Sequence, residues 1–86
     1  MKFFLITDDV DTSVGLRLAG VEGSVLSDLS DGRQAIDEAV KNEEIGVLMV
    51  SCRVAEEFRE HLDEIRRTQR LPLIVTLPDR TEENRL

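Results

Sequence analysis

The sequence is poor in the residues that hold together small secreted domains or read nucleic acids. Its 86 residues include one cysteine, three phenylalanines, and no tryptophan or tyrosine. The single cysteine, Cys52, excludes an internal disulfide framework, and the shortage of aromatic rings excludes base-stacking platforms and aromatic cages. Lys and Arg number 11 against 18 acidic residues, so the net charge is −7. This balance argues against binding to nucleic acid or anionic lipid by charge alone.

Long hydrophobic runs are also missing. The first apolar run, residues 3–6, is too short for a signal-peptide core or a membrane span. Small secreted domains are usually stapled by disulfides, which one cysteine cannot provide. We therefore predict a cytoplasmic protein that reaches a membrane only through a partner. The composition, 41% apolar and 34% charged, is typical of one folded globular domain.

Short apolar runs predict four β-strands. They cover residues 3–6, 24–26, 45–50 and 73–75 with Leu77. The first, third and fourth runs are continuous rather than alternating, which indicates strands buried on both faces of a parallel sheet. The second run is short and is predicted to form an edge strand.

Helical spacing separates these runs and predicts helices over residues 9–19, 30–42 and 52–69. In the first helix, Val14 and Leu18 form the apolar stripe, Asp8 is the expected N-cap, and Gly20 the expected C′ residue. In the second helix, Asp37 and Lys41 are expected to form an i,i+4 pair. The third helix is expected to begin at the cap Ser51 and to bury Val54, Phe58, Leu62 and Ile65.

The resulting order βαβαβαβ predicts an α/β fold. We expect a four-stranded parallel sheet, order 2-1-3-4, with helices on both faces in a Rossmann-like or receiver-like three-layer arrangement. The first two helices are expected on one face or its edge, and the third on the other. Residues 1–79 are predicted to form a single α/β domain, with residues 80–86 a polar tail and the start of a truncated C-terminal element.

The carboxyl edge of such a sheet is where function is expected. Asp8 and Asp9 follow the first strand and could hold Mg²⁺ as in a receiver domain, but the third strand ends in Ser51 and Cys52 rather than a carboxylate. The simpler interpretation is that Asp8 caps the helix and Asp9 stabilises its positive end. A receiver-like phosphoacceptor domain remains the alternative function, with Asp8, Asp9 or Cys52 as its site.

Other reactive side chains have simpler interpretations. Cys52 lies at a predicted helix N-terminus, which can lower a thiol pKa, but a small buried or capping-region cysteine is favoured. His61 has no second histidine at ligand spacing and is interpreted as a solvated residue of the helix surface. Phosphate-binding loops and the common hydrolase motifs are missing from the sequence. We therefore predict a protein that is not an enzyme and needs no cofactor or metal.

A longer pattern resembles the F subunits of the rotary A/V-type ATPases. It is carried by residues 1–9 (MKFFLITDD), 15–23 (GLRLAGVEG), 43–50 (EEIGVLMV), 54–66 and 71–79 (LPLIVTLPD). The family fold is a small parallel α/β domain, in agreement with the strand and helix pattern. Family members usually continue into a C-terminal helix that helps to grip the axle of the rotor, and this helix is expected to be lacking here.

The resemblance implies a non-catalytic part of the central stalk. It would bind the coiled-coil rotor axle, which is the D subunit of these complexes, together with neighbouring stalk subunits, and help couple ATP synthesis or hydrolysis to ion transport. It would lie in the cytoplasm, peripheral to the membrane through the ATPase complex. The surfaces expected to be exposed for a partner are the carboxyl edge and the segment after Pro78, with Arg53 as the charged anchor. The candidate partner-binding residues are Asp28, Ser51, Arg53, Asp79 and Arg80.

Overall fold

The computed structural model describes residues 2–78, which form four strands and four helices. The strands are β1 (Lys2–Thr7), β2 (Glu22–Val25), β3 (Ile45–Val50) and β4 (Leu73–Thr76). The helices are α1 (Val10–Leu18), α2 (Gly32–Lys41), α3 (Cys52–Glu57) and α4 (Arg59–Thr68), and a short 3₁₀ turn (Leu29–Asp31) precedes α2.

The four strands make one parallel sheet in the order β2-β1-β3-β4, which confirms the predicted fold class and strand order. β2 and β4 are the edge strands. The pairing of β1 with β3 shifts register between Lys2 and Phe3, and beyond the shift Phe4 lies opposite Leu48. Because all carboxyl ends lie at one edge, the segments that follow β1 and β3 meet there.

The helices are divided unevenly between the two faces of the sheet. The chain moves outward from β1 to β2 through α1, then returns past β1 to β3 through α2, and continues to β4 through α3 and α4. Right-handed crossovers in opposite directions place α1 on one face and the other three helices on the opposite face. The expectation that the first two helices share a face is therefore wrong, because the chain reverses direction after β2.

The core lies between the sheet and α2, α3 and α4. It contains alternate residues of the central strands and the inward stripes of the three helices, all less than a tenth exposed. Each fully buried aliphatic side chain contributes about 1.5–3 kcal/mol relative to an exposed one. This layer therefore supplies most of the hydrophobic stabilisation. Its principal members are Ile6, Leu48, Val50, Ile74, Ile36, Val54, Leu62 and Ile65.

The start of α1 is capped by Asp9, and the expectation that Asp8 is the cap is wrong. The Asp9 carboxylate accepts hydrogen bonds from the Asp11 N–H at 3.1 Å and from the Thr12 hydroxyl at 2.7 Å. The Asp8 carboxylate instead accepts a hydrogen bond from Ser51, which follows the neighbouring strand, and so it points away from the start of α1. At the other end, Gly20 has a φ of 91°, which confirms it as the left-handed C′ residue.

The predicted apolar stripe of α1 faces solvent. Val14 is 51% exposed and Leu18 is 86% exposed, whereas Ser13 is 5% exposed. The apolar stripe predicted from the spacing of Val14 and Leu18 is therefore not the buried side of the helix. The Asp9 cap fixes where the helix starts and hence its rotation, and this rotation turns Ser13 and the half-buried Leu16 toward the protein.

The predicted third helix is divided at Phe58. This residue has φ −114° and ψ 29°, which ends α3 and begins α4. The half-buried ring packs so closely on Gly32 that a Cβ there would lie 2.4 Å from Cε2 of Phe58. The change of direction lets the ring of Phe58 join the core while Leu62 and Ile65 remain on the buried side of α4.

The histidine of α4 bridges two helices. His61 Nε2 lies 2.6 Å from Oδ1 of Asp37 on α2, and the His61 side chain is only 17% exposed. The interpretation of His61 as a solvated surface residue is therefore wrong. Asp37, expected to pair with Lys41, makes this contact because α2 and α4 are neighbours on the same face of the sheet.

Candidate functional site

The carboxyl edge of the sheet joins the end of β1 to the start of α3. Asp8 follows β1 and accepts a hydrogen bond from the Ser51 hydroxyl at 3.0 Å and one from Arg53 Nη1 at 3.2 Å. Ser51 also caps α3, since its Oγ accepts from the Val54 N–H. The Asp8 side chain is 19% exposed and that of Arg53 is 78% exposed. The carboxylate is thus held in place, while most of the guanidinium faces solvent.

A cleft of about 480 Å³ lies beside this cluster. Its walls include Thr7, Asp9, Cys52 and Pro78 as well as the Asp8 cluster. The half-buried Cys52 thiol donates a hydrogen bond to the Leu77 carbonyl at 2.9 Å, so this thiol ties α3 to the segment after β4.

The predicted partner-binding residues are only partly brought together. Ser51 and Arg53 lie in the same cluster, whereas Asp28 lies after β2 and does not line the cleft. Asp28 caps the 3₁₀ turn, and hydrogen bonds from the backbone and side chain of Ser30 lower the pKa of its carboxyl below the ordinary 3.8. The stabilisation from this cap is present above about pH 4 and is lost as the pH falls. Asp79 and Arg80 lie outside the described residues.

The polar side chains at the carboxyl edge cap helices and connect neighbouring elements of the fold. Within residues 2–78, no three His, Cys, Asp or Glu side chains are grouped so that they could hold a metal ion. Asp8 is hydrogen-bonded to Ser51 and Arg53, and Asp9 caps α1. These contacts give the receiver-like alternative no support, because both acidic residues after β1 have structural roles.

The ion pair at this edge is expected to contribute little to stability. Replacing Arg53 with alanine should lower the free energy of unfolding by less than about 1 kcal/mol, because the pair is solvent-exposed on the arginine side. Replacing Asp8 with alanine also removes the hydrogen bond from Ser51 and should cost about 1 kcal/mol more. Urea unfolding of Arg53→Ala, Asp8→Ala and Asp8→Asn measures how much unfolding free energy each variant loses. A loss above about 2 kcal/mol for Arg53→Ala would contradict the conclusion that its ion pair with Asp8 is weak and solvent-exposed.

The sequence-based predictions missed a second surface, on the face that carries α1. Beyond the register shift, the odd-numbered residues of β1, β3 and β4 lie on this face, in rows that follow the strand register. Phe3, Leu73 and Val75 are there 51%, 56% and 41% exposed. The signal that could have found this surface is the crossover rule, which leaves a single helix for four strands.

The described part of the chain contains no helix with the length and apolar character needed to cross a membrane.

Comparison with known proteins identifies relatives along nearly the whole chain. A model of the family described as "ATP synthase (F/14-kDa) subunit" matches residues 4–85. The F subunit of the A-type ATP synthase of Methanothermobacter thermautotrophicus is 30% identical over 77 residues, which covers 88% of this chain and 72% of that protein. The corresponding F subunit of Pyrococcus abyssi is 28% identical over 81 residues, with 88% and 74% covered. These matches confirm the resemblance drawn from the sequence, and the chain belongs to the family of ATP synthase F subunits.

Proposed function

We propose that this protein is a non-catalytic rotor component in the central stalk of an A-type ATP synthase. It binds the coiled-coil axle, which is the D subunit of the complex, as well as neighbouring stalk subunits, and it turns with the axle. This rotation couples ATP synthesis or hydrolysis to ion transport through the membrane ring. The protein works in the cytoplasm, peripheral to the membrane through the complex.

The observation that carries this proposal is the family match over residues 4–85. The site chemistry agrees with it, because the polar residues of the carboxyl edge are occupied in capping and in linking β1 to α3. A small α/β domain with one closed and one partly open face is suited to binding another protein. We also predict that a version of the chain extended by a C-terminal helix would bind the axle more tightly than the 86-residue chain.

The test is isothermal titration calorimetry, in which the 86-residue chain is titrated into the axle protein encoded in the same genome. We expect saturable binding at one chain per axle. An unrelated two-stranded coiled coil of equal length and net charge is the control and should give no heat of binding. Failure of the axle protein to bind would refute the proposed function.

A further inference from the structure

The exposed apolar side chains of the described residues are gathered on one side of the molecule. Large apolar residues more than a third exposed occur on β1, β2 and β4 and on α1, and one immediately precedes β4. Those of the strands belong to the face that carries α1, and the opposite face is closed by three helices. They are Phe3, Val10, Val14, Leu18, Val25, Leu71, Leu73 and Val75. Exposed apolar area on the strands themselves, at Phe3, Leu73 and Val75, marks the part of this side that is suited to bind another protein.

The part of this side that α1 leaves uncovered is a strip of sheet, here named the open face and defined by Phe3, Val47, Leu73 and Val75. Phe3, Val47 and Leu73 lie side by side in one row across β1, β3 and β4. α1 packs on β1 and β2, and no helix of the described residues packs on β3 and β4 from this side. On β3 Val47 is half-buried and Met49 is 8% exposed, so the exposed apolar area of the strip lies mainly on the edge strand β4. Neighbouring strands lie about 4.8 Å apart, so a pair of strands offers a width close to the ~10 Å diameter of a helix.

Three charged residues at the amino end of the strands lie beside the open face, and together they leave one net negative charge. Lys2 pairs with Glu44 at 3.3 Å, and Glu43 adds a further negative charge at the amino end of the strands. These residues line a cleft of about 480 Å³ together with Leu71. A helix with an apolar stripe and flanking Lys or Arg residues is therefore complementary to this surface.

Two other occupants fit less well. A second copy of the chain would bring two molecules of net charge −7 together. Residues 79–86 (DRTEENRL) contain one apolar residue, Leu86, and so offer little to bury against three exposed apolar side chains.

We propose that the open face binds one helix of a coiled-coil partner, laid over β3 and β4 beside α1. The inference rests on the proposed function and names the surface through which the axle is held. It places the binding surface away from the carboxyl edge, where Ser51 and Arg53 were predicted to act.

The test compares four variants in the titration of the axle protein. Phe3→Glu and Leu73→Glu place a charge on the open face from two different strands, and each should weaken binding about tenfold or more. Leu18→Glu, at an exposed apolar residue of α1, and Arg53→Ala, at the carboxyl edge, are the matched controls and should bind like the unaltered chain. Circular dichroism melting identifies any variant that fails to fold. If one of the two open-face variants does not fold, the affinity of the other one decides the test.

Each outcome is decisive. Wild-type affinity in both folded open-face variants, or a loss confined to Arg53→Ala or Leu18→Glu, would overturn the inference while leaving the proposed function intact. Absence of binding by the unaltered chain would refute the proposed function and this partner with it. A dimer in sedimentation equilibrium that Leu73→Glu dissociates, or a nuclear Overhauser contact between Leu86 and Leu73, would show another occupant and overturn the inference.

Discussion

Replacing Leu48 with alanine is expected to lower the free energy of unfolding by about 3–5 kcal/mol. Leu48 is 0% exposed and lies in the central strand β3, between Phe4 of β1 and Ile74 of β4. The sheet holds its backbone on both sides, so the surroundings cannot collapse into the space that the leucine leaves. Domains of this size are stable by about 5–15 kcal/mol, so the variant should be close to unfolding at moderate temperature.

The matched control is the same substitution at Leu18. That side chain is 86% exposed, so Leu18→Ala should change the free energy of unfolding by no more than about 0.5 kcal/mol. Urea unfolding monitored by circular dichroism measures both variants. Equal losses at the two positions would contradict the burial assigned to them, and with it the rotation of α1.

The second large effect is expected at Phe58, where α3 ends and α4 begins. Phe58→Ala should cost about 3 kcal/mol, the low end for a phenylalanine because the ring is half-buried. Gly32→Ala should cost about 1–3 kcal/mol by overpacking, since its new Cβ would lie 2.4 Å from Cε2 of Phe58.

The double variant separates this contact from other effects. In the Phe58→Ala background, the cost of Gly32→Ala should fall by at least about 1 kcal/mol, because the ring that it would strike has gone. Thermal and urea unfolding of the two single variants and the double variant give the coupling energy. Strictly additive losses would show that the ring does not pack on Gly32.

The strand order could be predicted because the third strand, IGVLMV, has no polar residue, and strands of this kind belong in the middle of a parallel sheet. The rotation of α1 about its axis could not be predicted from the sequence. Val14 and Leu18 have helical spacing whether they face the sheet or solvent, and Asp8 and Asp9 are both suitable caps. The choice depends on Ser51, 43 residues after Asp8, which donates a hydrogen bond to it.

The division of the third helix at Phe58 was equally hidden. Neither glycine nor proline marks it, and the residues around Phe58 continue the helical stripe. At this break the ring packs closely on Gly32, a residue 26 positions earlier in the chain, and the local sequence pattern carries no trace of that contact.

The candidate site was predicted in part. The third apolar run ends at Val50, so Ser51 and Arg53, which follow it, could be placed at the carboxyl edge from spacing alone. The open face could not be read from apolar runs, because an uncovered strand and a covered strand have the same continuous apolar pattern. Only the direction of each crossover separates them, and that direction depends on the complete strand order.

The partner is proposed to bind on the face beside α1 and away from the carboxyl edge. Hydrogen–deuterium exchange of the 86-residue chain, alone and with a saturating amount of the axle protein, tests this placement most directly. We predict slower exchange of the amides of edge strand β4 in the complex, with unchanged exchange in α2 on the opposite face. Slower exchange confined to the 3₁₀ turn after Asp28 and to the start of α3, with β4 unchanged, would contradict this placement.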